Sequence, residues 1–308
     1  RNPNAQKVNA CLPNPFGQVF VVNAEKVILE SFKFNAQTEL ELDEEDTTND
    51  LKRLFGQIPN LSILIDEVHH AATDDIKLRQ AVNYWHSKGN ITTVLGFSGT
   101  PYLPKAEKIK VGDYEFKFSQ ITNTVYYYPL VTAIRKFLKT PTVKIGQNLD
   151  RFQIIKQGIE DFDNQYKNKV YENGTIAKVA IYCSNIEVLE EEVYPFLTGE
   201  LKINPNEILR FHKGNKAHPQ PEGSELEFRS LDLPISKKRY ILLVQIGKEG
   251  WDCKSLTGVI LSQKGDCPQN MVLQTSCRCL RQVDKGKEET ALIWLNKDNA
   301  DTLNKQLK

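Results

Sequence analysis

No stretch of the 308-residue chain has the form G-x-x-x-x-G-K-[S/T], the loop whose backbone N–H groups and lysine cradle nucleotide phosphates. Gly247-Lys248 and Gly286-Lys287 come nearest, but each is followed by Glu and neither has a glycine five positions earlier. The six cysteines include no C-x-x-C pair, and Cys277-x-Cys279 has the wrong spacing for a zinc knuckle. That sets aside a zinc module and leaves reduced thiols of a cytoplasmic protein as the plain reading. No apolar run approaches the roughly 20 residues of a membrane helix, and no secretory leader pattern is present, so no membrane partner is expected. Charge of one sign is lacking too: 40 Lys and Arg against 39 Asp and Glu give a net +1. This neither demands nor excludes nucleic acid, and any such binding must come from local patches.

The stretch that is most informative is Leu61-Ser62-Ile63-Leu64-Ile65-Asp66-Glu67-Val68-His69-His70. A short apolar run closed abruptly by charge reads as a buried parallel strand whose C-terminal end opens on a crevice. An Asp there can hold Mg²⁺ through its water shell, and the adjacent Glu can polarise a water attacking a γ-phosphate. Taken alone, the stretch also reads as a strand ending in solvated acids. A zinc site does not fit, because the spacing is not H-E-x-x-H and the adjacent His69 and His70 point different ways.

Residues 1–17, with three prolines and four asparagines, read as irregular, and 18–22 as a strand. Residues 39–50 form an acidic solvated run, and 51–55 a short helix. After the strand ending at Asp66, the pattern predicts a helix over 76–87 and a buried strand over 91–97 that ends in Ser98-Gly99-Thr100-Pro101, a βαβ unit. Alternation in Tyr114–Phe118 predicts a hairpin within 103–127; Glu115-x-Lys117 there has a nuclease-like E-x-K, but Asp113 is too close to be its separate acid. A short helix begins at Tyr128 and is expected to end at Lys139-Thr140-Pro141. A domain boundary is placed near 140–150, giving domains of 1–140 and 150–308. Beyond it, Asp150 caps a helix with an apolar stripe at Phe152, Ile155, Ile159, Phe162 and Tyr166. Strands are expected over 178–183, 240–244, 258–262 and 291–295, an acidic helix from Ile186, a mobile loop over 212–238, and a helix over 270–281.

Chemistry-bearing stretches recur in order: Asp66-Glu67-Val68-His69, Ser98-Gly99-Thr100, Gly247-Lys248-Glu249-Gly250-Trp251-Asp252, and Gln274-x-x-x-Arg278-x-x-Arg281. On a helix, Arg278 and Arg281 share one face, where two guanidiniums suit the oxygens of a phosphoryl group. An isolated pair of this kind is more simply a solvated helix face; the ordered set decides.

With these motifs the chain resembles the superfamily 2 helicases and translocases, and looks most like the restriction subunit of type III, and more loosely type I, restriction–modification enzymes. Asp66–His69 is similar to the DExH box, Ser98–Thr100 to motif III, Val179–Ser184 to motif IV, Gly247–Asp252 to motif V and Gln274–Arg281 to motif VI. The resemblance implies an α/β fold of two RecA-like lobes, the first incomplete, with ATP and Mg²⁺ in the cleft between them. It implies that Asp66 coordinates Mg²⁺, Glu67 orients the hydrolytic water, and His69 couples that site to Ser98 and Thr100. Gly250 would allow close backbone approach, Asp252 would touch the ribose or an arginine finger, Gln274 would lie at the lobe interface, and Arg278 and Arg281 would reach the γ-phosphate. Double-stranded DNA and a DNA-methyltransferase (modification) subunit are the implied partners. Candidate DNA contacts are Ser184, Asn185, Lys213 and Lys216.

Two departures stand out. Cys277 occupies a position where many relatives have Gly, and the phosphate loop is missing. The expectation is therefore a piece of a longer ATP hydrolase and site-specific deoxyribonuclease subunit, inactive by itself. The alternative is a catalytically silent nucleotide- or DNA-binding module. A stand-alone metal nuclease lacks an acid set.

Overall fold

The computed structural model describes residues 3–14, 16–22, 51–66, 68, 77–98, 102–111, 114–120, 126–134, 136–244, 251–268 and 271–307. The chain divides into two compact units, Arg1–Val125 and Tyr126–Lys308. The boundary thus falls earlier than residues 140–150, because the segment 140–146 is a strand of the second sheet. The acidic run 39–50 lies outside the described residues.

The first unit opens with helix α1 (Pro3–Cys11), where the sequence suggested irregular chain. Pro3 occupies its first position, where a missing N–H costs nothing. Residues 18–22 form no strand, yet Phe20 and Val22 pack against buried Val8, Leu51, Leu54, Phe55, Ile58, Ala81 and Trp85. Leu51, Leu54 and Phe55 come from α2 (Leu51–Phe55). Next come β1 (Leu61–Ile65), α3 (Lys77–Ser87) and β2 (Ile91–Gly96), with β1 and β2 parallel as the βαβ reading requires. Trp85 on α3 locks this core: its ring meets Phe55 edge-on at 5.8 Å and its Nε1 donates to the Lys52 carbonyl at 2.6 Å. The two strands are less covered than their apolar runs suggested, for Leu64, Val94 and Leu95 are exposed. The expected hairpin is present as β3 (Tyr102–Val111) antiparallel to β4 (Tyr114–Gln120).

In the second unit, α4 (Leu130–Ala133) is a single turn, and β5 (Thr140–Gly146) follows where the sequence placed only a helix end. Helix α5 (Arg151–Tyr166) begins with a full capping box: Asp150 accepts from Gln153 N, and the Gln153 side chain accepts from Asp150 N. Then come β6 (Lys178–Cys183), a helical run over 186–200 with π-wound turns at Val188–Val193 and Phe196–Glu200, and β7 (Ile208–Phe211). The chain continues through α6 (Ser224–Arg229), β8 (Tyr240–Val244), β9 (Leu256–Leu261), α7 (Val272–Cys277), β10 (Thr290–Asn296) and α8 (Lys297–Leu307). Neither β7 nor α8 was foreseen.

These strands form one sheet in the order β5-β10-β9-β6-β8-β7, with every pairing parallel. Strands β6, β8 and β9 are buried at every position, because both faces are covered. Alternate residues serve two cores: Val179, Ile181, Leu242 and Ile260 pack with Ile155, Ile159 and Phe162 of α5, whereas Ala180, Tyr182, Ile241, Leu243 and Val259 face Val272 of α7 and Leu303 of α8. Each buried Leu, Ile or Val contributes about 1.5–3 kcal/mol.

Candidate functional site

Asp66 follows the last residue of β1 and is exposed at the C-terminal end of that strand. The turn it enters folds back on β2: Phe97 N donates to the Ile65 carbonyl at 2.8 Å, and Val68 N to the Phe97 carbonyl at 2.8 Å. Gly96 makes this possible, since a Cβ there would meet the Val68 side chain at 2.6–2.9 Å. Ser98, exposed, is thereby set next to the acid turn, which joins two stretches 30 residues apart in sequence. Glu67, His69 and Thr100 lie outside the described residues, as does Gly250.

In the second unit, Arg278 and Arg281 do converge, though not on a helix face. Helix α7 stops at Cys277, Arg278 opens a 3-10 turn, and Arg281 is extended at φ −65°, ψ 127°. The cause is competition for the backbone groups that a longer helix would use. Lys139 N–H donates to the Leu280 carbonyl at 2.6 Å, and the Glu289 carboxylate takes Asp284 N–H at 2.7 Å. A continued helix would have paired that carbonyl with that N–H. Arg281 instead bridges Leu138 across an antiparallel contact.

What the two arginines share is Trp251. Its carbonyl accepts from Arg278 Nη1 at 2.9 Å and from Arg281 Nη1 at 3.4 Å, while Asp252 ion-pairs with Arg281. Like charges are thus gathered around one oxygen and partly offset by one carboxylate. The Arg281 side chain is 46% exposed, so its ion pair is solvent-screened and an incoming anion has access to it. Gln274 lies half-buried on α7.

Buried polar groups brace this cluster. Lys139 is fully buried, with Nζ 3.7 Å from Glu289 and donating to the Leu256 carbonyl at 3.0 Å and the Lys254 carbonyl at 3.4 Å. Burial pulls its pKa below the ordinary lysine value, and the Glu289 charge pulls back. Asp232 accepts from Lys254 N at 2.8 Å, Ser255 N at 2.9 Å and Ser255 Oγ at 2.6 Å. Burial pushes its carboxyl up, but these hydrogen bonds outweigh burial and hold it below the usual range. Sequence gave no sign of Lys139 or Asp232, because the partners of their side chains are 21 to 150 residues away.

The other candidates gather at or beyond the opposite, C-terminal ends of the strands. Ser184 and Asn185 follow the C-terminal end of β6, whereas Arg281 lies beside the start of β5. The strands between are about 17–20 Å long. Asn185 caps the helical run, its Oδ1 accepting from Val188 N at 2.8 Å. Lys213 and Lys216 are exposed on the stretch after β7. That stretch is not the featureless loop expected from composition: it carries α6 and is tied to the acidic helix. Glu190 accepts from Arg210 Nη1 at 2.6 Å and contacts His212 Nε2 at 2.8 Å, Glu191 contacts His218 Nε2 at 2.8 Å, and Asn215 donates to Glu187 at 2.7 Å. Gly214 N–H donates to His212 Nδ1 at 3.1 Å, so the ring's other nitrogen is the one that donates to Glu190. Gly214 itself sits at φ +74°, where a Cβ would meet Gln220 N at 2.5 Å.

No family model matches the chain, and no curated protein does. Solved structures do. A fragment described as an HsdR subunit of a type I restriction enzyme from Vibrio vulnificus YJ016 is 15% identical, over 80% of this chain and 46% of that one, with a TM-score of 0.47. The ATP-dependent Type ISP restriction-modification enzyme LlaBIII bound to DNA is 17% identical, over 78% of this chain and 18% of that one, at 0.45. S. cerevisiae Dbp5 bound to RNA and ADP BeF3 is 11% identical, over 80% and 56%, at 0.43. The chain spans less than two thirds of each.

Proposed function

We propose that this chain is the motor portion of an ATP-dependent translocase acting on double-stranded DNA, of the superfamily 2 kind. Within that class we assign it to the restriction subunit of a cytoplasmic type III restriction–modification enzyme, with a DNA-methyltransferase subunit as partner. The observation that carries the reading is the meeting of Trp251-Asp252 with Arg278 and Arg281, stretches 27 to 30 residues apart that gather two guanidiniums around one carbonyl. A folding role alone does not require an arginine as open to solvent as Arg281, at 46% exposure, beside the partly buried Arg278. An anion such as a phosphoryl group does, since a planar fork offers paired N–H donors in its geometry.

In this reading Asp66, exposed at a parallel strand's C-terminal end, suits a Mg²⁺ held largely through water. The ion would neutralise charge on the phosphates. Glu67 orients the attacking water, Ser98 and Thr100 couple the acid turn to nucleotide state through His69, and Gly250 allows the close approach of motif V. Arg278 and Arg281 stabilise charge that develops on the transferred phosphoryl, with Asp252 releasing Arg281 to it and Gln274 alongside. Ser184, Asn185, Lys213 and Lys216 contact DNA phosphates from the C-terminal ends of the strands or beyond, an interaction that weakens with salt. The second reading, a silent binding module, is favoured by the absent phosphate loop.

Glu67→Gln in the full-length protein separates the two. It should keep nucleotide binding and lose DNA-stimulated ATP hydrolysis, because an amide keeps the size but cannot polarise water as a carboxylate does. Turnover within a few-fold of wild type would remove Glu67 from the reaction, and no turnover by either protein would favour the silent module.

A further inference from the structure

The arginine pair depends on where one carbonyl points, so what holds Trp251 decides where both guanidiniums sit. On one side the chain is pinned by Asp232, which takes the N–H groups of Lys254 and Ser255, and by Cys253, buried in the core. On the other side the indole lies against Phe228, stacked at 5.1 Å and 24°. Phe228 in turn stacks on Phe211 at 3.8 Å and 13°. Phe211 is buried and is the last residue of β7, so the three-ring stack rests on the sheet itself. Phe228 lies on the short helix α6, half-buried.

We propose that Phe228 is a positioning residue for the Arg278–Arg281 pair, acting through the Trp251 indole. The inference rests on the reading of that pair as acting on a phosphoryl group. Stacked rings attract beyond the area they bury, which favours this indole orientation over others. Fixing the indole fixes the backbone of Trp251, and with it the carbonyl that receives Arg278 at 2.9 Å and Arg281 at 3.4 Å. Without the Phe228 ring the Asp232 anchor remains, so the segment stays folded while the carbonyl gains freedom. A misplacement of order 1 Å at a catalytic group costs about 10²-fold in rate, and partial freedom costs correspondingly less.

The test is DNA-stimulated ATP hydrolysis by the full-length protein carrying Phe228→Ala, Phe228→Leu, Phe228→Tyr, Arg281→Ala, or Phe228→Ala with Arg281→Ala. Phe228→Ala should lower kcat about tenfold, with KM for ATP within about twofold, and Phe228→Tyr should restore it because the flat ring returns. The double variant should be slowed by less than the product of the two single losses, since part of the ring's effect runs through Arg281. Phe228→Leu keeps apolar bulk without a ring; if Phe228→Ala does not fold, a tenfold loss in Phe228→Leu supports the proposal and a wild-type rate overturns it. Losses that multiply in the double variant, or a Phe228→Tyr as slow as Phe228→Ala, also overturn it. An Arg281→Ala protein with wild-type kcat defeats the reading of the arginines themselves, an outcome distinct from a slow Arg281→Ala beside an unaffected Phe228→Ala.

Discussion

At the residue scale, Asp266 carries an unusual burden. Its side chain is buried near the C-terminal ends of β6 and β9, with Oδ2 accepting from Ser262 Oγ at 2.9 Å and Gln263 N at 2.7 Å. Its Oδ1 has no hydrogen bond among the described residues, and Arg151 Nη2 is 3.9 Å away. Burial pushes the carboxyl up to about 6, against the pull of those hydrogen bonds and of Arg151. The folded state therefore holds a proton that the unfolded chain releases, and stability falls as pH rises from about 4 through 6. Above that window the cost is complete, at about 3 kcal/mol. Asp266→Asn should remove this part of the pH dependence. Urea unfolding of both proteins at pH 4 and pH 7 is expected to show wild type losing about 2–3 kcal/mol relative to the variant; an unchanged difference between the two proteins would contradict the buried carboxylate. Nothing local in Ser262–Asp266 announces this; Arg151, the nearby cation, comes far earlier in the sequence.

At the element scale, what the sequence made legible is what local pattern encodes. The strand ending at Asp66, the strand over 178–183, the Asp150-capped helix and the hairpin in 103–127 all follow from apolar runs, caps or alternation. The end of α7 was not legible, since the Leu280 carbonyl is taken by Lys139, from far earlier in the chain, and the Glu289 side chain turns back onto Asp284 N–H. The arginines' meeting point, the Trp251 carbonyl 27 and 30 residues earlier, is likewise not legible in either stretch alone. Gly96 is an element-scale constraint with a direct test. Gly96→Ala puts a methyl into Val68, which cannot move without shifting the turn that follows Asp66. A loss of about 1–3 kcal/mol in unfolding free energy is expected, typical of overpacking, together with slower ATP turnover in the full-length protein. A fully stable Gly96→Ala protein would mean that Val68 does not pack there.

At the scale of the whole molecule, the second unit separates its candidates by strand end. Arg281 lies by the N-terminal ends of the strands, and Ser184, Asn185, Lys213 and Lys216 lie by the C-terminal ends or just beyond them. On the proposed reading, nucleotide and DNA phosphates would be met at different ends of these strands. No helix among the described residues is long and apolar enough to cross a membrane. The 308-residue chain itself, without the phosphate loop, should bind ATP feebly and release no phosphate above background, with or without duplex DNA.

On the proposed reading, Arg281 acts on the phosphoryl group transferred in ATP hydrolysis by the full-length protein. The most direct test of this claim is ATP hydrolysis and ATP affinity measured side by side on the full-length protein bearing Arg281→Ala or Arg281→Lys. The account predicts that Arg281→Ala cuts hydrolysis by roughly 10³-fold or more while affinity falls far less, because the guanidinium acts on charge that develops in the transition state. Arg281→Lys should rescue poorly, since a point-charged ammonium cannot replace a planar fork. An exposed arginine with no such role would leave the rate at wild type and change stability by no more than about 0.5 kcal/mol, and that result would contradict the account.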